Sequence, residues 1–182
     1  MVAKRALNFG TPLYTKRQRR APSVVVFSGV KPEMKNFIRD VSHTAVTSSS
    51  YFLNNIAQGT SVDGRIGAKI KIYRIEYVLA QVSGDPIRVD LLINNTAGGT
   101  PSHAYDEDIS RNLHTVLDTR FLHSGASLNS RGAMVSKKLP YPIVAKYTGA
   151  TATCNYNQIV AHLTTPVSTT VTGYFRIYYT DI

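Results

Sequence analysis

The stretch IAQGTSVDGRIGAKIKI, residues 56–72, spaces two glycines in a way that could cradle a phosphate. A phosphate-binding P-loop has the pattern G-x-x-x-x-G-K-[ST], in which backbone N–H groups hold phosphate oxygens, the lysine reaches the terminal phosphates and the hydroxyl binds magnesium. Gly59 and Gly64 fit this spacing, but Arg65 and Ile66 follow, and Ile66 offers no oxygen to a metal. The flanking residues are typical of a strand and not of a helix whose N-terminus would face the anion. We therefore interpret this stretch as a glycine-bearing loop that leads into a long strand.

Residues that could catalyse a reaction are few and scattered. The chain contains neither a G-x-S-x-G nucleophile elbow nor an H-E-x-x-H zinc motif. Its one cysteine, Cys154, excludes an intramolecular disulfide and a cysteine-based zinc cluster, and a nucleophile pair of Cys154 with His162 would need a third group to orient it. We expect a protein that is not an enzyme, with no catalytic residues and no cofactor.

An acidic stretch, TPSHAYDEDIS at residues 100–110, offers the only clustered metal-ligand types. His103, Asp106, Glu107 and Asp108 could supply imidazole and oxygen ligands to a divalent ion, but their spacing matches no EF-hand loop. We interpret the stretch as a solvated acidic loop or as an interface that faces basic neighbours, and we expect no metal site. It is the one long connection without strand character, and it has room for a short helix.

Basic residues are concentrated at the N-terminus. Of 21 lysines and arginines, seven lie in residues 1–32, a region without any of the 11 acidic residues. They are Lys4, Arg5, Lys16, Arg17, Arg19, Arg20 and Lys31. Such clusters bind nucleic acid without sequence preference, because they neutralise phosphates and release counterions. We predict that these seven residues bind nucleic acid, a solvated basic tail being the alternative.

The first six of these residues also form two separated clusters, KR at 4–5 and KRQRR at 16–20. This arrangement is similar to a bipartite nuclear-localisation signal, in which the clusters occupy separate acidic grooves of an import receptor. We therefore expect a nuclear import receptor among the partners.

The chain divides into two regions by charge and hydrophobicity. Residues 1–32 have little periodic hydrophobicity and are interrupted by Gly10, Pro12 and Pro22, so we expect a largely disordered basic arm. Residues 33–182 are nearly neutral and long enough to fold as one domain. The N-terminus lacks the apolar core of a signal peptide and no run of residues is long enough to span a membrane, so we expect a soluble protein, intracellular when made, with no membrane insertion.

The second region is rich in Val, Ile, Thr and Tyr in segments separated by turn residues, which is typical of an all-β sandwich or barrel. Eight strands without α/β alternation favour a single jelly roll of two packed antiparallel sheets. The predicted strands are Met34 to Ser42, Ala45 to Asn54, Ile66 to Val82, Pro86 to Asn94, His114 to His123, Val135 to Tyr147, Gln158 to Thr165 and Thr172 to Asp181.

Two irregularities are visible in the alternation of these strands. Ile70 and Ile72 share one face, whereas Ile75 and Tyr77 continue on the other, which predicts a β-bulge near Ile72. The sequence LPYPIVAKY places two prolines in a strand, and since proline cannot donate a ladder hydrogen bond, this strand should lie at an edge or be irregular. Body cations at Lys69, Lys71, Arg74 and Arg88 either add a basic inner face or pack at the edge of the core.

Taken together, the basic arm, EMKNFIRDVS, IAQGTSVDGRIGAKIKIYRIEYVL, PIRVDLLINN and the C-terminal GYFRIYYTDI occur in an order that resembles the capsid proteins of CRESS-DNA viruses. These viruses have circular single-stranded DNA genomes that encode a Rep protein, and circoviruses are among their relatives. Their capsid proteins have a jelly roll that resembles that of satellite tobacco necrosis virus. The most specific phrase is I-x-Q-G followed by R-I-G-x-K-I, and the resemblance spans nearly the full chain.

The resemblance implies a coat protein that self-assembles into a small T=1 icosahedral capsid, found in the virion and in the host nucleus during assembly. Its arms would contact a circular single-stranded DNA genome inside the shell. A coat protein of a satellite-type RNA virus and a cellular jelly-roll binding module such as a lectin are the alternatives.

Overall fold

The computed structural model describes residues 32–61, 63–81, 85–96, 98–123 and 133–182. Apart from its junction at Pro32, the predicted basic arm lies outside these residues, so its predicted disorder is not addressed. The described part is all-β and contains no helix, and hence none long and apolar enough to cross a membrane. Its seven strands are β1 Lys35–Phe52, β2 Lys69–Gln81, β3 Ile87–Asn94, β4 His114–Leu122, β5 Ala133–Tyr147, β6 Cys154–Tyr156 and β7 Ile159–Asp181.

The strands form one antiparallel sheet that is continuous through the long strands β1 and β7, and it has two halves. In the half that we call the β3 half, residues 159–164 of β7 lie between β3 and residues 48–52 of β1, and β4 pairs with β3. In the β2 half, residues 171–181 of β7 lie between β2 and residues 35–43 of β1, and β5 and β6 continue the sheet beyond β2.

The core is one cluster built from inward-facing side chains of both halves. Leu91 of β3, Ile75 of β2 and Phe175 of β7 are buried in it, and the ring of Phe175 lies 5.3 Å from Tyr77 and 6.3 Å from Tyr51. Because side chains alternate between the two faces of a strand, the residues between these buried positions point away from the core. The outward faces of the two halves are therefore where polar residues collect.

The eight predicted strands all fall on observed strands, but the described residues contain seven. The first and second predicted strands are continuous as β1, and the seventh and eighth are continuous as β7, because Val46 still pairs with Thr169 between the two halves. β6 was not predicted. The predicted β-bulge is confirmed by a register shift between Ile72 and Arg74. The proline-bearing strand is irregular as predicted, since residues 139–142 of β5 have no partner on β2.

The acidic stretch contains turns and no helix, so the prediction of a short helix was wrong. We call residues 98–113 the strap. Arg88 of β3 donates hydrogen bonds to the backbone carbonyls of Tyr105 and Glu107 at 2.8 and 2.7 Å. The strap thus crosses the β3 half as irregular backbone with turns and is bound by Arg88 from below.

Candidate nucleic-acid interface

Most lysines and arginines of the β2 half lie on its outward face. In β2, Ile70 and Ile75 are fully buried, whereas Lys69, Lys71 and Arg74 are partly or fully exposed on the other face. β7 alternates in the same way, with the buried Phe175, Ile177 and Tyr179 separated by outward-facing residues. We call this surface the cationic face, and its cations are Lys69, Lys71, Arg74, Lys138, Lys146 and Arg176.

Strand register places like charges opposite each other on the cationic face. Lys69 is paired with Lys146, and Arg74 is paired with Lys138. Like charges directly opposite on neighbouring strands destabilise a sheet. Asp40 and Glu76 also lie on this face, since each is paired with one of its residues on a neighbouring strand. The cations outnumber these two carboxylates, so the face is positively charged. A bound polyanion would relieve the repulsion between the paired cations.

Tyrosine rings hold several of these cations in place. The guanidinium of Arg74 lies 3.9 Å from the ring centre of Tyr178, and that of Arg176 lies 5.3 Å from Tyr174. The ammonium of Lys146 lies 4.8 Å from the ring of Tyr156, which is 55% exposed. Cation–π contacts orient the charge while leaving its other side open to a ligand.

Glu76 links the centre of the cationic face into one network. Its carboxylate accepts a hydrogen bond of 2.6 Å from the hydroxyl of Tyr178 and another of 3.2 Å from Ser136, and it lies 3.4 Å from the Nε of Arg74. The bond from Tyr178, followed by the charge of Arg74, lowers the pKa of Glu76 in spite of its burial. The same tyrosine hydroxyl raises the pKa of Arg176. Glu76 thus stays ionised and fixes Arg74 and Tyr178 relative to each other.

A groove of about 430 Å3 opens on this face. It is lined by Met34, Tyr73, Arg74, Lys138 and Tyr178. Tyr73 occupies the bulge of β2, and its hydroxyl lies 3.3 Å from Thr180 on β7. Met34 is half exposed and directly precedes β1, so the chain that continues from the basic N-terminal region reaches the folded body beside the groove.

Arg65, from the glycine-bearing loop, is not part of this face. It is fully buried, its Nε donates to the carbonyl of Ile56 at 3.0 Å, and its Nη2 donates to those of Gly149 and Thr151 at 2.8 Å each. Its guanidinium also lies 4.1 Å from the ring of Tyr147. Its Nη1 also donates to the carbonyl of Gly67, so this buried side chain joins two loops and does not present its guanidinium to a phosphate at the surface.

The loop itself is a tight structural turn, in agreement with its interpretation from sequence. Gly59 N–H donates to the carbonyl of Arg65 at 2.9 Å, and Gly64 N–H donates to that of Ser61 at 3.0 Å. A Cβ on Gly64 would lie 2.8 Å from the Ser61 hydroxyl and 3.0 Å from the Gly59 carbonyl oxygen. The glycine is needed for this close approach of the chain to itself.

Of the four body cations considered from sequence, Lys69, Lys71 and Arg74 lie on the cationic face, and Arg88 does not. Arg88 is buried on the outward face of the β3 half, where its Nε forms an ion pair of 2.9 Å with Asp90. The sequence could not distinguish these positions, because both strands alternate polar and apolar residues. Only the pairing with β7 decides which half of the sheet each strand joins.

The other candidate residues predicted from sequence do not form one site among the described residues. Lys4, Arg5, Lys16, Arg17, Arg19, Arg20 and Lys31, the predicted nucleic-acid and import residues, lie outside the described residues. Cys154 bonds to the carbonyls of Tyr156 and Lys146, and burial raises the pKa of its thiol, whereas His162 contacts Ser50 and His103. They do not form a nucleophile pair. No cluster of three metal-ligating side chains is found among the described residues.

Sequence reasoning missed the contributions of Lys138, Lys146 and Arg176 and of the tyrosines that stack on cations. A signal for Tyr174, Arg176 and Tyr178 was present, because they alternate with apolar residues in GYFRIYY. No local signal places Lys138 opposite Arg74, since that pairing joins residues far apart in the chain.

No protein-family model matches this chain, and no curated protein matches it in sequence, so the function is argued from the site. The cationic face offers ammonium and guanidinium groups to phosphates, and it offers the exposed ring of Tyr156 and the half-buried ring of Tyr178 to unpaired bases. Stacking of a base on an aromatic ring is worth about 1–3 kcal/mol and tolerates any base. Such a face suits a flexible single-stranded nucleic acid.

Proposed function

We propose that this protein is the coat protein of a small single-stranded DNA virus, a non-enzymatic subunit that self-assembles into a T=1 icosahedral capsid around a circular genome. The observation that carries the proposal is the cationic face, on which Lys69 opposes Lys146 and Arg74 opposes Lys138 beside the point where the basic N-terminal region joins the body. A surface with two like-charge pairs and ordered tyrosines is best explained by a polyanionic ligand.

The strand pairing supports the jelly roll expected of such a coat. Setting aside the short β6, each half of the sheet contains four strand segments, and the chain passes between the halves within β1 and within β7. Two four-stranded antiparallel layers around one core are the architecture of viral jelly rolls, although lectins and cupins share it. The fold alone therefore does not select the function, and the support for a nucleic-acid-binding coat comes from the charged face.

In the proposed shell, the cationic face lines the interior and the strap lies on the opposite side. Lysines and arginines neutralise phosphates, and Tyr156 and Tyr178 stack on bases that single-stranded DNA leaves unpaired. The residues from Lys4 to Arg20 extend this contact and carry the import signal that brings new subunits to the nucleus, where the genome is copied. Binding is nonspecific in sequence, because ionic contacts with phosphates and stacking on aromatic rings do not distinguish the bases.

The test is expression of the full chain, with electron microscopy and measurement of the nucleic acid protected from nuclease. The proposal expects closed particles with protected nucleic acid in the wild type. It expects particles with much less nucleic acid, and subunits excluded from the nucleus, when the six basic residues of the two N-terminal clusters are changed to glutamine. A monomer that forms no particles, or unchanged nucleic-acid content in the variant, would overturn it. Sensitivity of the released genome of native particles to DNase or RNase separates a DNA coat from a satellite-type RNA coat.

A further inference from the structure

The strap covers the outward face of the β3 half and is held there by side chains from below. Besides the two bonds from Arg88, the amide of Asn94 donates to the carbonyl of Gly99, and the Nε2 of His103 lies 2.9 Å from Asp90. His103 is the strap's own buried anchor, with 7% of its surface exposed. Leu92 and Val160 pair across β3 and β7, are fully buried and lie outside the core cluster.

Two more histidines lie beneath the strap, His162 on β7 and His114 on β4, with 1% and 4% exposure. The His162 ring centre lies 4.5 Å from that of His103. His162 Nε2 lies 3.1 Å from the carbonyl oxygen of His103, and its Nδ1 lies 2.7 Å from the hydroxyl of Ser50. Because a carbonyl oxygen only accepts, Nε2 carries the proton, and in the neutral ring Nδ1 accepts the proton of Ser50.

The hydrogen bond of His114 also fits a neutral ring. Its Nδ1 lies 3.0 Å from the Oδ1 of Asn94, whose amide nitrogen already donates to Gln158 and to the strap at Gly99. Since Oδ1 is an acceptor, Nδ1 of His114 donates, and the neutral ring leaves Nε2 without a proton. His114 therefore supports the residue that holds one end of the strap.

The buried carboxylate beside these rings, Asp90, already has several partners. Asp90 is fully buried, lies 2.9 Å from the Nε of Arg88 in an ion pair and 2.9 Å from the Nε2 of His103, and accepts a hydrogen bond of 2.7 Å from the Thr119 hydroxyl of β4. From β1 the facing group is the neutral Ser50. Of the strap's own acids, Glu107 and Asp108 line a cavity together with His114, and these two and Asp106 are exposed to solvent, which screens their charge. Protonation of His162 would add charge beside His103 and Arg88 and would force the Ser50 hydroxyl to turn.

We propose that the strap is an acid-released cover, in which His162 and His114 are held neutral while residues 98–113 are closed, and protonation of these two rings frees the strap from the β3 half. Release uncovers Leu92 and Val160 and changes the surface on that side of the subunit. This property belongs to the folded subunit and does not depend on the proposed function.

The direction of the pH dependence follows from proton linkage. Burial lowers the pKa of His162 and of His114 below the ordinary value of 6.5. In the released state the rings are solvated and titrate near that ordinary value, so protons bind the released state more strongly. The opening constant is then independent of pH well above 6.5 and rises as pH falls through it, by up to about tenfold per pH unit for each histidine.

Hydrogen–deuterium exchange of the full chain tests this, with rates corrected for the intrinsic pH effect, between about pH 7.5 and about pH 5.5, a range in which histidine titrates. Wild-type peptides from 98–113 should lose protection as pH falls, while peptides from 171–181 of β7 should not. His162→Gln keeps a donor for the His103 carbonyl and an acceptor for Ser50 but cannot titrate. The opening constant of this variant should rise less steeply than that of the wild type as pH falls, by up to about tenfold per pH unit. In the double variant with His114→Gln the opening constant should be nearly independent of pH.

His123→Gln is the matched control, because His123 is exposed at the end of β4, and it should behave as the wild type. Unchanged wild-type protection of the strap over the pH range, or a double variant with the wild-type pH dependence, would overturn the proposal. If His162→Gln does not fold, NMR titration of the histidine rings in the wild type decides: midpoints below 6.5 for His162 and His114 support the proposal, and midpoints at or above 6.5 refute it.

Discussion

Arg65 holds a full positive charge at a buried position where, among the described residues, it forms no ion pair. Carbonyl groups from Ile56, Gly149 and Thr151 accept its hydrogen bonds, and the ring of Tyr147 covers one side of its guanidinium. The partial charges of the carbonyls and the electron-rich ring take the place of a carboxylate. The arginine that follows the second glycine of the loop is thus a structural tie between two loops.

Arg65→Met should lower the free energy of unfolding by at least about 3 kcal/mol, because it leaves the buried carbonyl of Ile56 without a donor and removes the bonds to Gly149 and Thr151. Urea denaturation of the full chain measures the change. Lys69→Met provides the control, since Lys69 is exposed four residues later and its loss should change stability by no more than about 0.5 kcal/mol. A change for Arg65→Met as small as the control's would contradict this account of the loop.

At the scale of elements, β7 is the strand that organises the sheet, because it pairs with β1, β2 and β3. Gly173 lies opposite Leu79 and Val41 with φ of 148°, a conformation that other residues rarely adopt. A Cβ there would overlap the carbonyl oxygen of Val78. The close approach of β7 to β2 at this point therefore requires glycine.

Gly173→Ala should destabilise the fold by more than about 3 kcal/mol, since it combines a strained φ with a backbone clash. Gly149→Ala separates the two effects, because Gly149 has φ of 67° and no atom within 4 Å of an added Cβ. That change should cost only about 1–2 kcal/mol. Thermal or urea unfolding of both variants gives the comparison, and equal losses would show that the clash with Val78 is relieved by movement of the strands.

At the scale of the whole molecule, positive charge is distributed unevenly between the two outward faces. The cationic face carries six cations against two carboxylates, whereas the β3 half is covered by the acidic strap. An electrostatic contact with phosphates should therefore use the first face. Its affinity for nucleic acid should fall steeply with salt, since released counterions drive the binding.

Changing Lys71 and Lys138 to glutamine should reduce the slope of log Kd against log salt by about 1.4, as expected for two lost phosphate contacts with a single strand. Arg111 and Arg120, exposed cations of the strap and of β4, form the control pair. Their change to glutamine should leave the slope within about 0.3 of wild type. Titration of a labelled oligothymidine at several salt concentrations measures both, and equal slopes in the two variants would show that the cationic face is not the binding surface.

For the fold, local patterns were sufficient to place strands, because the two-residue alternation that buries one face is visible in the sequence of each segment. The phase slip at Ile72 predicted the β-bulge, and the prolines predicted the irregular part of β5. The same local reasoning failed at the strap, where turn-forming and acidic residues allow a helix, because side chains of the sheet below, Arg88, Asn94 and His162, bind its backbone in an irregular conformation with turns.

The sequence by itself determined that this protein is a β-rich body with an asymmetric, basic N-terminal region, because composition and alternation are local properties. Only the tertiary structure decided which cations act together. The register of β2 with β5 and β7 gathers Lys69, Arg74 and Lys138 on one surface, while Arg65 and Arg88 become buried ties. Strand neighbours are set by pairing between distant segments, and no pattern within a single segment specifies its partner.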